Sequence, residues 1–421
     1  MIILTINCGS SSLKYLVYNW EKRTGMASGI VERVTIGESF IRYTPLGGDE
    51  VKIERDCPTH KEAIELVIET ITNKKIGIIK DIKMIDAVGH RVVHGGEKFT
   101  SSIRIDDNVI ETFKSLYGLA PLHNPANVMG IEAAREVLPA IPHIAVIDTA
   151  FHQTMPEESY IYAVPYSWYK DYGVRKYGFH GTSHLYVSRR ASVVLKKKIE
   201  DTNLITCHIG NGVSLTAIKN GKSYDHSMGF TPLEGLVMGT RSGDIDPAVV
   251  EYICKKEKKD VSFVISYLNR RSGLLGISGK WVDRRDIERE MVGGNKRAVL
   301  AFNKEVTRLK KYIGAYIAIL RRVDAIVFTA GAGEKSPMLR EAVCSDMEGF
   351  GIKIDKQKNS REKGTREAIV SSRNSDIKIL VIPTNEEIVF VEDVVGILKG
   401  EYKSLHTFNY SFSSLDYKPE L

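Results

Sequence analysis

Thr5-Ile6-Asn7-Cys8-Gly9-Ser10-Ser11-Ser12-Leu13-Lys14 is the stretch from which the rest of the chain can be read. The apolar run Ile2-Ile3-Leu4 precedes it, and Leu13 to Tyr18, rich in strand formers, follows. The pattern predicts strand, tight polar turn, strand: a hairpin. The turn combines a glycine, serine hydroxyls, an asparagine and a lysine, which suits a phosphate. An ordinary serine-rich turn has the same composition. No G-x-x-x-x-G-K-[ST] is present and no helix pattern follows, so this is not a Walker loop.

Outward from the hairpin, one arrangement recurs. A short apolar run stops abruptly at glycine, polar or ionisable residues. Met84 to Val88 ends in Gly89-His90-Arg91-Val92-Val93-His94-Gly95-Gly96-Glu97, and Ile144 to Ile147 ends in Asp148-Thr149-Ala150-Phe151-His152. Leu204 to Cys207 ends in His208-Ile209-Gly210-Asn211-Gly212. Ala325 to Phe328 ends in Thr329-Ala330-Gly331-Ala332-Gly333-Glu334, and Ile379 to Ile382 ends in Pro383-Thr384-Asn385-Glu386-Glu387. Buried parallel strands read as unbroken apolar runs, and ligands collect at their carboxyl ends. The chain is therefore expected to be α/β, with these junctions and the hairpin lining one cleft. A second hairpin signal at 204–225, with its Asn220-Gly221 turn, suggests a duplicated core. Residues 25–56 read as further strands, Thr59 and Glu62 as a capping box, and Val299 to Leu320 as a long amphipathic helix.

With 421 residues, 43% hydrophobic and 26% charged, the chain is globular and long enough for two domains. The expected division is 1–150, completed by 386–400; 151–385; and a tail, 401–421, that either packs on the body or is partly disordered. The N-terminus lacks the features of a signal peptide and no apolar run reaches a membrane span, so a cytoplasmic location is expected. The net charge of +7 is spread without aromatic interleaving, which argues against nucleic acid and suits a small anionic substrate. Five separated cysteines with no C-x-x-C read as reduced thiols.

Several residues carry chemistry. Arg91 and His94, in a glycine-bracketed segment, suit a carboxylate or phosphate; a surface arginine and a core histidine is the plainer alternative. His123 lies in Ala120-Pro121-Leu122-His123-Asn124-Pro125. His180 and His184 have i, i+4 spacing, but Gly181 and the hydroxyls between them read as a loop, so zinc is not expected. Arg241, in Met238-Gly239-Thr240-Arg241-Ser242-Gly243-Asp244-Ile245-Asp246, either reaches a transferring group or forms a salt bridge with Asp244 or Asp246. Gly331 to Ser336 narrowly misses two nucleotide motifs, but as a glycine turn opening a helix it could cradle a nucleotide.

Taken together, these segments resemble the acetate kinase family, within the acetate and sugar kinase/Hsp70/actin superfamily, from residue 2 to about 398. The resemblance rests on Asn7 to Lys14, Gly89 to Gly96, Ala120 to Pro125, Asp148 to His152, Gly178-Phe179-His180-Gly181-Thr182-Ser183-His184, and Gly239 to Asp246. It implies a two-domain fold with duplicated sheet and helix cores around an interdomain cleft. It implies reversible transfer of the ATP γ-phosphoryl group to acetate, giving acetyl phosphate and ADP, with propionate or butyrate kinase as the alternative. By resemblance, Asn7 and Glu386 hold Mg²⁺, or Mn²⁺ in its place. Ser10 and Ser12 line the γ-phosphoryl path. Lys14, the turn His208-Ile209-Gly210-Asn211-Gly212, Asp283-Arg284-Arg285 and the loop Gly331-Ala332-Gly333-Glu334-Lys335 surround ATP. Arg91 receives the substrate carboxylate, and Asp148, His180 and Arg241 complete the catalytic set. Val93, Leu122, His123, Phe179 and Pro232 form the substrate site. A homodimer is implied too. The chain departs from the family pattern at Trp281-Val282, at Lys335, and in its tail beyond 400, which has no counterpart in a typical member.

Overall fold

The computed structural model describes residues 1–121 and 123–418. The described chain divides into two compact units, 1–151 with 385–411 and 152–384 with 412–418. Among the described residues, no helix is long and apolar enough to cross a membrane.

The first unit holds an eight-stranded sheet: β1 (Ile2–Cys8), β2 (Ser12–Asn19), β3 (Thr24–Glu32), β4 (Phe40–Pro45), β5 (Val51–Glu54), β6 (Ile85–Val92), β7 (Ile103–Arg104) and β8 (His143–Ile147). Its order is β5-β4-β3-β2-β1-β6-β8-β7. The opening hairpin is β1 and β2, antiparallel, with Asn7 opposite Lys14. β1, β6 and β8 run parallel. The second unit holds β9 (Leu204–Ile209), β10 (Val213–Lys219), β11 (Lys222–His226), β12 (Ala325–Thr329), β13 (Ala368–Ile369) and β14 (Lys378–Val381), ordered β11-β10-β9-β12-β14-β13. β9 and β10 form the second hairpin, and β9, β12 and β14 run parallel. Thus β3-β2-β1-β6-β8 and β11-β10-β9-β12-β14 share order and direction, which is the duplication expected from the two hairpin signals.

Strand alternation sets which side chains meet the site. Leu4, Ile6 and Cys8 of β1 lie in one core with Ala63, Ile64 and Val67 of the helix His60–Ile71 and Ala133 and Ala134 of the helix Asn124–Val137. Ile3, Thr5 and Asn7 therefore face the opposite side. On that side the helix Glu386–Leu398 covers the sheet, and Thr5 is in register with Gly89. A Cβ at Gly89 would come within 2.9 Å of Val394 in that helix, so glycine admits the close packing. Arg91, two residues on, projects from the same face as Gly89.

The sequence expectation placed the end of the sixth strand at Val88, but β6 continues through Gly89-His90-Arg91 to Val92. Partners on both edges sustain it, and the polar His90 is buried with its Nε2 2.9 Å from His143 Nδ1. Gly181–Val194, expected to open as a loop, is a helix whose N-cap is His180. The capping box of Thr59 and Glu62 is present. The long helix spans Lys296–Leu320 and buries Phe302, Leu309, Ile313, Tyr316 and Leu320 as the stripe predicted. It also buries Glu305, paired with Arg284 at 2.7 Å. Residues 401–418 of the tail pack as an ordered segment. Tyr402 and Tyr410 donate hydroxyl bonds to the buried Asp393 at 3.2 and 2.6 Å, and Ser411 bonds Glu392. In the second unit Phe412 packs on Tyr186, and Arg190 donates to the carbonyls of Phe412 and Ser414.

Candidate active site

In the first unit the candidates gather at the carboxyl ends of β1, β6 and β8. Arg91 makes a two-pronged bond to Asp148, with Nη2 at 2.6 Å from Oδ2 and Nε at 3.2 Å from both oxygens. Asp148 is 1% exposed and Arg91 is partly exposed, so the pair presents a guanidinium edge backed by a buried acid. Burial alone would lower the Arg91 pKa. Asp148, then Glu386 and Glu387, outweigh it and hold the guanidinium above its usual range. Glu386 opens the helix Glu386–Leu398 behind its N-cap Asn385, where acidic side chains are favoured. Lys14, opposite Asn7 on the hairpin, is close enough to act on the charge of Glu387.

The loop after β6 is held by residues to which the sequence reading gave no role. Asn127 accepts from the Val93 N–H at 3.0 Å and donates to the Cys8 carbonyl at 2.8 Å, tying the Arg91 loop to the hairpin. Asn124 brackets His94, accepting from its N–H and donating to its carbonyl. Thr149 accepts from the Gly95 N–H, and His60 donates to the Gly9 carbonyl at 2.8 Å, steadying the turn that carries Ser10 and Ser12. The one sequence signal was Asn124-Pro125-Ala126-Asn127, which reads equally well as a helix start. His123 is that helix's N-cap residue and acts on the charge of Asp148. Val93 is half-buried in the loop. Leu122, expected in the substrate pocket, lies outside the described residues.

No group of three or more His, Cys, Asp or Glu that could hold a metal occurs among the described residues. Asn7 and Glu386 supply only hard oxygen donors. That fits Mg²⁺, which keeps several waters and takes one or two protein oxygens alongside substrate phosphates.

In the second unit His180 sits in the left-handed region (φ 57°), a conformation that a non-glycine residue keeps only where surrounding packing enforces it. Its ring stacks on His208 with centroids 4.1 Å apart, and its Nδ1 is 2.8 Å from Ser214 Oγ. The turn Gly210-Asn211-Gly212 joins β9 to β10. A Cβ at Gly212 would lie 3.5 Å from His180 Nε2 and 3.4 Å from Arg241 Nη1, so both groups face the same bare Cα. The salt bridge that sequence alone allowed for Arg241 does not form with Asp244. That carboxylate takes Arg308, Tyr312 and the Gly235 N–H instead. The recorded polar contact of Arg241 is Met238 Sδ at 3.8 Å, and burial pulls its pKa below the usual value. A guanidinium desolvated without an acid is set up to receive an anion.

Loops that would face a nucleotide approach each other closely. A Cβ at Gly239 would fall 1.9 Å from Asn211 Oδ1, and one at Gly331 would fall 3.2 Å from the Ile209 carbonyl. Ala332 and Gly333 follow in the short helix Gly331–Lys335, with Lys335 exposed. The Glu334 carboxylate accepts from the N–H groups of Ala330 and Thr384 at 2.6 and 3.0 Å, so it organises the loop. Arg340, fully buried, donates to the Gly333 and Glu334 carbonyls, a brace that no motif announced. Arg284 spans Glu305 and the Gly210 carbonyl, so it holds the turn. Asp283 caps the helix Arg284–Val292, and Arg285 is exposed and folds back on Asp283. Val282 packs towards Gly239, and Trp281 is half-buried with its backbone held by Ser278. Phe179 is buried, its carbonyl taking bonds from His152 and His226 at 2.9 and 2.7 Å. Pro232 is half-buried in the loop before Gly235.

Two sheets of one topology, each with polar turns at the carboxyl ends of its parallel strands, are the frame of this enzyme, a phosphotransferase of the kinase class. The acetokinase family profile matches residues 2–392, and the chain belongs to that family. It is 53% identical over 418 residues to an acetate kinase of Trichlorobacter lovleyi, covering 99% of each chain. That match runs on into the tail, whereas an acetate kinase of Caldanaerobacter subterraneus, 53% identical and aligned over its whole length, covers 95% of this chain, so some relatives share the extension beyond residue 400 and others lack it. Among solved structures, an acetate kinase of Porphyromonas gingivalis superposes with a TM-score of 0.90 at 46% identity, covering 94% of this chain and 99% of that one. A propionate kinase of Francisella tularensis superposes at 0.87 with 38% identity, covering 93% and 98%.

Proposed function

We propose that the enzyme transfers the γ-phosphoryl group of ATP reversibly to acetate, giving acetyl phosphate and ADP. The observation that carries this reading is the contrast between its arginines. Arg91 is neutralised and aimed by Asp148, whereas Arg241 is desolvated beside His180 without an acid. Arg91 takes the acetate carboxylate. Arg241 and His180 take the charge spread over the transferring phosphoryl oxygens. Acetate is already ionised at neutral pH, so no base is needed to create the nucleophile. Asp148 accordingly works as the orienter of Arg91, not as a proton acceptor. What remains is alignment and charge neutralisation, the protein's main work in phosphoryl transfer.

Lys14 and the Ser10–Ser12 turn hold phosphate oxygens, and the turn at 208–212 with the loop at 331–335 holds the nucleotide. Asn7 and Glu386 would hold Mg²⁺, which when bound would supply positive charge to offset that of the phosphates. The names carried by relatives at about half identity support acetate over a longer acid. An apolar pocket discriminates one methylene by only ~1–3 kcal/mol, so the preference is graded. A hydroxamate assay with acetate, propionate and butyrate, in the presence of ATP and Mg²⁺, tests the reading. Acetate should give the highest kcat/KM. A higher value for propionate would move the assignment to that acid, and no acyl phosphate from any of them would end it.

A further inference from the structure

Behind His180 lies a chain of buried groups to which the reaction assigns no part. His180 Nδ1 is 2.8 Å from Ser214 Oγ, the same hydroxyl is 2.8 Å from His184 Nε2, and His184 Nδ1 is 2.7 Å from Thr206 Oγ1. Thr206, His184 and Ser214 are all completely buried. Burial, reinforced by the neighbouring His226, His152 and His208, drives the His184 pKa well down, so its ring carries a single N–H.

With a single N–H on His184, three such bonds can be ordered in three ways, but where Ser214 accepts from both histidines its own hydrogen has no acceptor among the described residues, which leaves two. In one, the Thr206 hydroxyl donates to His184 Nδ1, His184 Nε2–H donates to Ser214, and Ser214 donates to His180 Nδ1. In the other, every bond reverses. The reversed order leaves the Thr206 hydrogen without an acceptor, because His184 Nδ1 is the only hydrogen-bond partner of that hydroxyl among the described residues. A buried hydroxyl with an unused hydrogen carries its full desolvation cost. The first order satisfies every group in the chain.

We propose that Thr206, His184 and Ser214 form a proton-ordering relay that holds neutral His180 in its Nε2–H tautomer, so that Nε2 presents a hydrogen to the phosphoryl oxygens. The three are positioning residues. Their effect on rate rests on the reading of His180 given above, but the proton order itself does not. The stack on His208 and the strained His180 backbone fix where the ring lies, and the relay fixes which nitrogen carries the proton.

Two-bond ¹⁵N–¹H correlation spectra of the full-length enzyme labelled at histidine read the tautomer directly, with His180 assigned by the signals lost in His180→Asn. The wild-type spectrum should show His180 as Nε2–H, and an Nδ1–H form would overturn the proposal without any further variant. Thr206→Val keeps the shape and removes the donor. It should give mixed His180 tautomers and lower kcat by ~10–100-fold with the nucleotide KM within about twofold, and Thr206→Ser should restore both. A fall in kcat with an unchanged His180 spectrum would overturn the relay as a mere packing effect. A changed spectrum at unchanged kcat would uphold the relay and overturn the catalytic reading of His180.

Discussion

Arg91 and Arg241 show how one residue type takes two tasks according to what lies beside it. With Asp148 two-pronged on its inner side, Arg91 keeps one donor edge, which the proposed function assigns to the substrate carboxylate. Arg241 has no such partner among the described residues, and the proposed function gives it an incoming phosphoryl oxygen. Arg241→Ala should therefore lower kcat by ~10³-fold or more with little change in nucleotide affinity, measured by steady-state kinetics beside direct nucleotide titration. A change confined to KM would contradict the role. Asp148→Ala leaves the partly exposed Arg91 guanidinium without its acid and should cost ~1–3 kcal/mol of stability in denaturant unfolding. The double variant with Arg91→Ala should cost clearly less than the two single changes summed. At this scale the sequence exposed the ionisable residues, because charges bracketed by glycine at strand ends stand out. It did not expose Asn124, Asn127 or Arg340, whose work is hydrogen bonding to backbone groups that approach only in the folded chain.

Among the elements, the helix Glu386–Leu398 links the site to the tail. Its first residue faces the Arg91 region, and its buried Asp393 anchors Tyr402 and Tyr410 together with Ser102. Burial pushes the Asp393 carboxyl from 3.8 up to about 7, against the pull of those hydroxyl donors. Between these values the folded chain holds a proton that the unfolded chain has released. This contribution to stability is complete below about pH 4 and is lost as pH rises to about 7. Asp393→Asn should flatten the part of the stability profile that falls between about pH 4 and 7, followed as Tm against pH. An unchanged slope would show that the carboxyl is ionised throughout. The two loops packed through Gly239 and Asn211 offer a second test. Gly239→Ala puts a methyl group against Asn211 Oδ1, and the displaced turn should raise the KM for nucleotide while leaving the fold intact by circular dichroism.

Over the whole molecule, the shared order of β3-β2-β1-β6-β8 and β11-β10-β9-β12-β14 accounts for the repeated appearance of polar residues after apolar runs. Each unit places its chemistry at the carboxyl ends of parallel strands, where side chains leave the sheet and backbone amides point outward. The tail adds material to both units: Tyr410 and Phe412 are 1% and 0% exposed. Truncation after Gly400 removes these aromatics, uncovers Asp393 and Glu392 in the first unit, and uncovers Tyr186 and Arg190 in the second. At ~3–5 kcal/mol for a deleted buried aromatic, calorimetry should show a fall in Tm of many degrees, whatever the residual activity.

From residue order alone one could read the hairpin, the strand-end junctions, the amphipathic helix and the arginines, since period, turn chemistry and charge are local properties. The opening stretch looked like a serine-rich turn, and its partners Arg91, Asp148 and Glu386 lie up to several hundred residues away in sequence. The tertiary structure decided which charges are compensated, that β6 continues through Gly89 to Val92, that residues 401–418 pack as an ordered segment, and which groups line up behind His180. Each of these depends on desolvation and on donors and acceptors brought together by packing, and neither quantity exists until the chain has folded.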